Sequence, residues 1–474
     1  MPAFAGWSEP VRISEPGGCW YPQIATQGDT IHVVYTNTYG GDKISYIRSI
    51  DEGETWSEHI VLSDTTNTDV TSYPRIINHG SNIIILWKNI FIDGVLNVNI
   101  GYSVSQDGGF TWDGPDYVFS YNVEHIYHQA AANSGQTINV VYSDYSVEDP
   151  IFRHVRSTNF GQSWSDPETL FIAAETGQID MVAYEDNIHC VWYGNFNDGD
   201  IWETYYTKSL NGGLNWSENI ALVDVDDYGS IWPSLSVNDS GDIIFCWTDF
   251  KYTPNWWTAD LFVKYGNDSG EEWSEEEQIS FSHLDACPDV YWLNDTMHVV
   301  WERGNVTSRN IYYMRSVDNG LTWEEEQCLE NDPDDSKRPS VAASNEKVHV
   351  IWADDRDDPD TTIGGGIYYS RWESDVSIED DYLIPSNTEI LTSYPNPFNS
   401  STVISYSNIE GGDIEIYDLC GRHLRTLNGG CQQDQGRIAW DATDASGEKV
   451  CSGVYFVKMS TSDNTYVTKL IYLR

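Results

Sequence analysis

One short string returns along most of this chain. It reads S-I-D-E-G-E-T-W at 49–56, S-Q-D-G-G-F-T-W at 105–112 and S-T-N-F-G-Q-S-W at 157–164. It continues as S-L-N-G-G-L-N-W at 209–216, G-N-D-S-G-E-E-W at 266–273 and S-V-D-N-G-L-T-W at 316–323. The tryptophans stand about 50 to 57 residues apart, a period that suits one four-stranded blade of a β-propeller. The high content of tryptophan, tyrosine and glycine agrees, because aromatic residues suit half-buried pleated surfaces and glycine supplies turns.

The rest of each unit repeats as well. A first strand begins near a proline in Y-P-Q-I-A (21–25), Y-P-R-I-I (73–77), W-P-S-L-S (232–236), C-P-D-V-Y (287–291) and R-P-S-V-A (338–342). The third and fourth units carry H-Q-A-A-A (128–132) and Q-I-D-M-V (178–182) there instead. An apolar second strand follows in seven copies, from I-H-V-V-Y to V-H-V-I-W, yet the acidic turn occurs only six times. The seventh unit reaches I-Y-Y-S-R-W (367–372) and stops. Trp7-Ser8-Glu9-Pro10 with V-R-I-S behind it reads like the segment after an acidic turn. The pattern therefore predicts an all-β chain: a seven-bladed β-propeller closed by an N-terminal strand, which removes the open sheet edges.

In a four-stranded meander the loops alternate between faces, so the acidic turns share a face with the loops joining strands one and two. Within the turn, Asp or Asn accepts hydrogen bonds from the turn's own backbone, Gly takes the positive φ and Trp packs beneath. Asn159 and Asn211 replace Asp in two copies, which fits hydrogen bonding and argues against an essential carboxylate. The motif S-x-D-x-G-x-T-W resembles the Asp-box, or BNR repeat, of sialidases and related propellers, over about residues 1–375.

Acidic residues number 74 against 25 basic ones, a net charge of −49, which disfavours binding to nucleic acid. Such a surface is compatible with calcium uptake, though the D-D-R-D-D-P-D run (354–360) lacks the spacing of a calcium loop, and no cofactor is expected. The eight cysteines form no CxxC pair or Cys/His metal spacing; Cys420, Cys431 and Cys451 leave room for a bridge. No apolar run reaches membrane-spanning length, and the N-terminus carries no basic-then-apolar leader.

After Trp372 the sequence changes style. An acidic linker (376–391) leads to Y-P-N-P-F-N-S-S-T (394–402), I-E-I-Y-D-L-C-G-R (414–422), W-D-A-T-D-A-S-G (440–447) and S-G-V-Y-F-V-K (452–458). Short alternating strands with Asn, Gly and Pro turns predict a small β-sandwich over 392–474. These motifs resemble the sorting domains of type IX secretion substrates and related FlgD-like immunoglobulin-type modules. The resemblance implies a protein that is secreted or displayed on the outer surface, with the secretion machinery as a partner.

The seven copies supply an internal control: positions that differ from unit to unit near the channel are the site candidates. Tyr21, Tyr73, Arg75, His128, Asp180, Trp232, Asp289 and Arg338 lie beside or near the repeated proline position. Arg303 ends a second strand, and the long loops add Asp93, Phe250, Trp256, Trp257 and Arg356. Arginines with aromatics suit a sugar acid or glycan, with Asp180 and Asp289 as the carboxylates for catalysis. The sialidase resemblance implies an arginine triad, drawn from Arg75, Arg303, Arg338 and Arg356. A sialidase would also need a tyrosine–glutamate nucleophile pair, which is not identified, and an F/Y-R-I-P motif, met only as Y-P-R-I (73–76) and V-R-I-S (11–14). Two functions follow: a sialidase-like propeller that binds or processes extracellular glycans, or a non-catalytic adhesion or protein-binding propeller.

Overall fold

The strands form where the sequence alternates β-branched and aromatic residues, as in I-H-V-V-Y, whose five residues are all buried. In the computed structural model, residues 6–373 are described except 16, 39–40, 65–69, 93–95, 120–125, 146–149, 174, 196–200, 224–227, 252–257, 306–307, 331–333, 345–346 and 357–364. Further on, 391–394, 398, 400–407, 413–418, 422–427, 435–460 and 465–472 are described. The chain divides into two units, Met1–Asp375 and Val376–Arg474. No helix occurs among the described residues, so the protein is all-β.

The described residues of the first unit form seven four-stranded antiparallel sheets, each consistent with a propeller blade. The first sheet is Cys19–Gln27, Thr30–Asn37, Lys43–Ser49 and Ile60–Val61, in sequence order. The next five follow the same plan, with first strands Val70–His79, Ile126–Ser134, Glu175–Tyr184, Ser230–Val237 and Asp285–Leu293. The seventh joins Ser336–Ser344, Lys347–Asp354 and Gly366–Glu373 to Val11–Arg12 from the other end of the chain. Val11 pairs with Tyr369 and Arg12 with Tyr368, while Trp7 bridges Trp372.

The acidic turns have a common hydrogen-bond scheme. Ser49 Oγ donates to Asp51 Oδ1, and Asp51 accepts the Thr55 backbone N–H at 2.9 Å and the Thr55 hydroxyl at 2.6 Å. Those bonds, the Thr55 hydroxyl foremost, hold the Asp51 carboxyl down at about 2. Asn159 takes the same bonds from Ser157 and the Ser163 N–H, and in the 266–273 copy the acceptor is Asn267 in place of Asp268. Each turn leans on the loop between strands one and two of its own sheet, as in Glu52 N–H to Asp29 O at 3.0 Å and Gly108 N–H to Ser81 O at 2.8 Å. The turns are therefore scaffold at the far end of each first strand.

Successive sheets lock through one repeated contact. The turn tryptophan packs edge-on against a ring of the preceding sheet's third strand: Trp112 on Tyr46 (4.8 Å), Trp164 on Tyr102 (5.6 Å), Trp216 on His154 (5.2 Å) and Trp273 on Tyr206 (5.3 Å). The tyrosine is itself held by the histidine of the second strand, as His32 Nδ1 to Tyr46 Oη at 2.7 Å and His298 Nδ1 to Tyr313 Oη at 2.8 Å.

In the second unit, Leu391–Tyr394, Thr402–Ser407 and Gln435–Trp440 make one sheet, and His423–Leu427, Asp413–Asp418, Gly453–Ser460 and Thr465–Tyr472 make another. Residues of both enclose the buried Trp440, whose indole N–H donates to Thr443 O at 2.9 Å. Cys420 and Cys431 lie outside the described residues, and Cys451 is a free thiol.

Candidate functional site

Every first strand breaks register near its start. In five sheets the break falls at the residue before proline and at the proline itself, as between Trp20 and Gln23 or Lys337 and Ser340. A bulge of this kind re-aims side chains. The residues before proline, Tyr21, Tyr73, Trp232, Cys287 and Arg338, all have φ between 52 and 55°. That left-handed conformation is unfavourable for side chains of this bulk, at about 1–3 kcal/mol each. His128 and Gln178 take the same place in the two sheets without proline, where the bulge sits one residue earlier. All seven side chains line one cavity of about 280 Å³.

One turn of the ladder further in, the residues opposite Val34, Leu86, Val191, Cys246 and Val300 are Gln23, Arg75, Asp180, Ser234 and Asp289. They line the same cavity. Three of them tie their sheet to the next: Asp180 Oδ2 accepts the Leu235 N–H at 2.8 Å, Ser234 Oγ the Val290 N–H at 3.2 Å, and Asp289 Oδ2 the Val341 N–H at 2.9 Å. Asp289 Oδ1 also receives the Ser234 hydroxyl at 3.2 Å. Burial raises both carboxyls, Asp289 to about 6, with the Asp180 charge adding to the effect and the Val341 N–H opposing it.

The opposite part of the cavity is cationic and aromatic. Tyr21 Oη donates to Tyr73 Oη at 3.0 Å, with ring centroids 4.0 Å apart, and the Tyr73 ring meets His128 edge-on at 5.8 Å. The Arg338 guanidinium lies over Tyr21 at 4.4 Å and has no hydrogen-bond or ion-pair partner among the described residues. Arg75 Nη2 reaches the Ile179 carbonyl at 3.5 Å, past the sheet where the small Ala130 stands, and its buried Nε has no hydrogen-bond partner. Burial, then Lys88, Arg75 and Arg338, lower the His128 imidazole to about 4, so it is neutral at pH 7. Burial and the Tyr21 hydroxyl push the Tyr73 phenol well above its ordinary value, so it keeps its proton.

Two expectations fail. Arg303 and Arg356 do not join Arg75 and Arg338. Arg303 binds Asp285 (Nε to Oδ1, 2.5 Å) and Glu326 and lies over Tyr312 at 4.1 Å. Arg356 binds Asp354 at 2.6 Å and Glu330 and lies over Tyr368 at 4.2 Å. Both guanidiniums are engaged by carboxylates away from the cavity lining, Arg303 within its own sheet and Arg356 by Asp354 of its own sheet and by Glu330 of the segment leading into it, so they do not join Arg75 and Arg338 in a triad. Asp93, Trp256 and Trp257 lie outside the described residues. Tyr193 is a lining residue that the first-strand pattern cannot reveal, because it comes from a second strand. It crosses directly over Gly177, where a Cβ would come within 2.0 Å of its ring.

Residues 392–473 match the secretion system C-terminal sorting domain family. The C-terminal unit is a sorting domain. It marks the protein for secretion or the cell surface, and no helix among the described residues is long and apolar enough to cross a membrane. No curated protein matches the chain. Among solved structures, a protein of unknown function from Dyadobacter fermentans is 14% identical, with a TM-score of 0.50 over 78% of this chain and 100% of its own. An ulvan lyase of family PL25, bound to a glucuronate–rhamnose-3-sulfate fragment, is 11% identical with a TM-score of 0.56, over 76% and 95%. The NanB sialidase of Streptococcus pneumoniae is 13% identical with a TM-score of 0.45, over 77% and 69%. At such identity the first two likenesses concern the fold alone.

Proposed function

We propose that this is a secreted, Asp-box propeller of seven blades that binds or processes an acidic extracellular glycan in its central cavity. The closed ring is supported by Trp7 and Val11–Arg12 on the last sheet and by Trp56 of the first sheet packing on Tyr369 of the last at 5.0 Å. The observation that carries the ligand class is the pair of under-used guanidiniums. Arg75 has a buried Nε with no hydrogen-bond partner among the described residues, and the Arg338 guanidinium lies over the Tyr21 ring with no hydrogen-bond or ion-pair partner among them. A buried donor without an acceptor costs about 1–3 kcal/mol, and a carboxylate or sulfate on a sugar would remove that cost through charge-assisted bonds. The flanking Tyr21, Tyr73, Tyr193 and Trp232 offer ring faces to the sugar.

Hydrolysis of the sialidase type has weaker support, because Asp180 and Asp289 are engaged as straps between sheets and Arg303 and Arg356 are paired elsewhere. Calorimetric titration of the full chain with acidic and matching carboxyl-reduced oligosaccharides tests the reading. Binding confined to the acidic series is expected; equal binding of both, or none, would refute it.

A further inference from the structure

The Arg338 guanidinium lies over the Tyr21 ring of the first sheet at 4.4 Å. Burial governs the titration of Tyr73, His128, Tyr193 and Cys287, and the Arg338 charge lowers all four. They belong to the second, third, fourth and sixth sheets, so this cation of the seventh sheet stands toward the middle of the cavity rather than against its own wall.

Its backbone does not hold that place unaided. Arg338 has a φ of 53° and lies inside the register break between Lys337 and Ser340, where the ladder to the second strand lapses. Its N–H donates instead to Glu302 Oε2 at 3.0 Å. Of the five residues before proline, Arg338 alone has its N–H held by a side chain among the described residues. Glu302 is buried on the second strand of the sixth sheet, Thr296–Asn305, and crosses to the seventh. Its Oε1 accepts Arg309 Nη1 at 2.8 Å, and Arg309 is itself clamped on Asp335, through Nε at 2.8 Å and Nη2 at 2.6 Å.

The repeat sets this carboxylate apart from the scaffold. Glu302 follows the buried Trp301, and in the other sheets the residue after the corresponding aromatic is Thr36, Lys88, Ser143, Tyr193, Thr248 or Ala353. Six sheets therefore form without an acid at that position, and Tyr193, at the same place in the fourth sheet, lines the cavity.

We propose that Glu302, anchored by Arg309, is the positioning residue of the anion site: by holding the Arg338 backbone it keeps the guanidinium over Tyr21, where it meets the acidic group of a bound glycan. The inference rests on the acidic-glycan reading above. A guanidinium ordered before the ligand arrives binds more tightly, because less freedom is lost on association. Holding the backbone N–H also leaves the positive charge for the ligand, unlike the carboxylates that pair directly with Arg303 and Arg356.

The test titrates oligosaccharides of polygalacturonate, alginate and chondroitin sulfate into the full chain and into Glu302→Ala, and repeats the comparison in an Arg338→Ala background. With the oligosaccharide that the wild type binds, Glu302→Ala should weaken binding about fivefold or more, yet less than about twofold once Arg338 is gone. A loss that merely followed stability would recur in both backgrounds. Glu302→Thr with Arg309→Gln removes both charges together, so no lone charge stays buried, and it should show the same pattern where Glu302→Ala folds poorly. The crystal structure of either variant should show the guanidinium moved off the Tyr21 ring. Unchanged affinity, an equal loss in both backgrounds, or a guanidinium still over Tyr21 would overturn the positioning role and leave the acidic-glycan reading standing. No binding by the wild type to any of the three would overturn that reading, and this inference with it.

Discussion

The Trp7 indole meets the Tyr313 ring edge-on, with centroids 4.9 Å apart and planes 74° from parallel. Trp7 thus occupies on the last sheet the place that a turn tryptophan occupies on the others, although it stands at the other end of the chain. The next step of the series returns to the beginning, where Trp56 packs on Tyr369. The Trp7 indole N–H also donates to Gln327 Oε1 at 2.9 Å.

If that contact closes the ring, Trp7→Ala should destabilise the first unit by about 3–5 kcal/mol, as removal of a buried tryptophan usually does. Denaturant unfolding of the variant beside Trp164→Ala measures this. A loss under about 1 kcal/mol for Trp7→Ala would mean that the first strand is an appendage.

Acid should weaken the fold through the histidines between the sheets. Burial lowers His32, His189 and His349 to about 4 and His298 to about 3, against an unfolded value near 6.5. Their folded values are depressed, so the unfolded chain binds more protons between about pH 4 and 6.5 and stability falls as pH drops through that window, by up to about 1.4 kcal/mol per unit for each histidine. Unfolding midpoints across that range check it, and His298→Gln should flatten the slope.

Asp289 contributes the opposite sign. Its folded value is raised to about 6, so its stabilising contribution is complete below the unfolded carboxylate value and declines as pH rises toward 6. Asp289→Ala should cost about 1–3 kcal/mol at pH 5, because it leaves the Val341 N–H without its acceptor, and less at pH 7. Comparing the two unfolding curves at both pH values decides between a strap and a free carboxylate.

The scaffold is readable in the sequence because its interactions are local. Ser, Asp or Asn, and Gly within five residues of one another make the turn's own bonds, and the tryptophan directly follows. The residues before proline are readable for the same reason: one bulge, repeated, aims each of them into the cavity. Arg303 misleads because the carboxylates that claim it, Asp285 and Glu326, are 18 and 23 residues away and only the fold brings them close, while Arg356 is held by the local Asp354 together with Glu330, 26 residues away. Tyr193 is hidden because its approach depends on Gly177 in a neighbouring strand, and nothing in I-H-C-V-W-Y announces that.

The assignment of the cavity as the glycan site is tested most directly by titrating four arginine variants with the acidic oligosaccharide that the wild type binds. Arg75→Ala and Arg338→Ala should each weaken binding at least about tenfold, the 1.4 kcal/mol or more expected of a lost charge-assisted bond. Arg303→Ala and Arg356→Ala should leave affinity within about twofold and lower stability instead, since each strands buried carboxylates, Asp285 or Asp354. Unchanged affinity in Arg75→Ala and Arg338→Ala, or an equal loss in all four, would contradict the assignment.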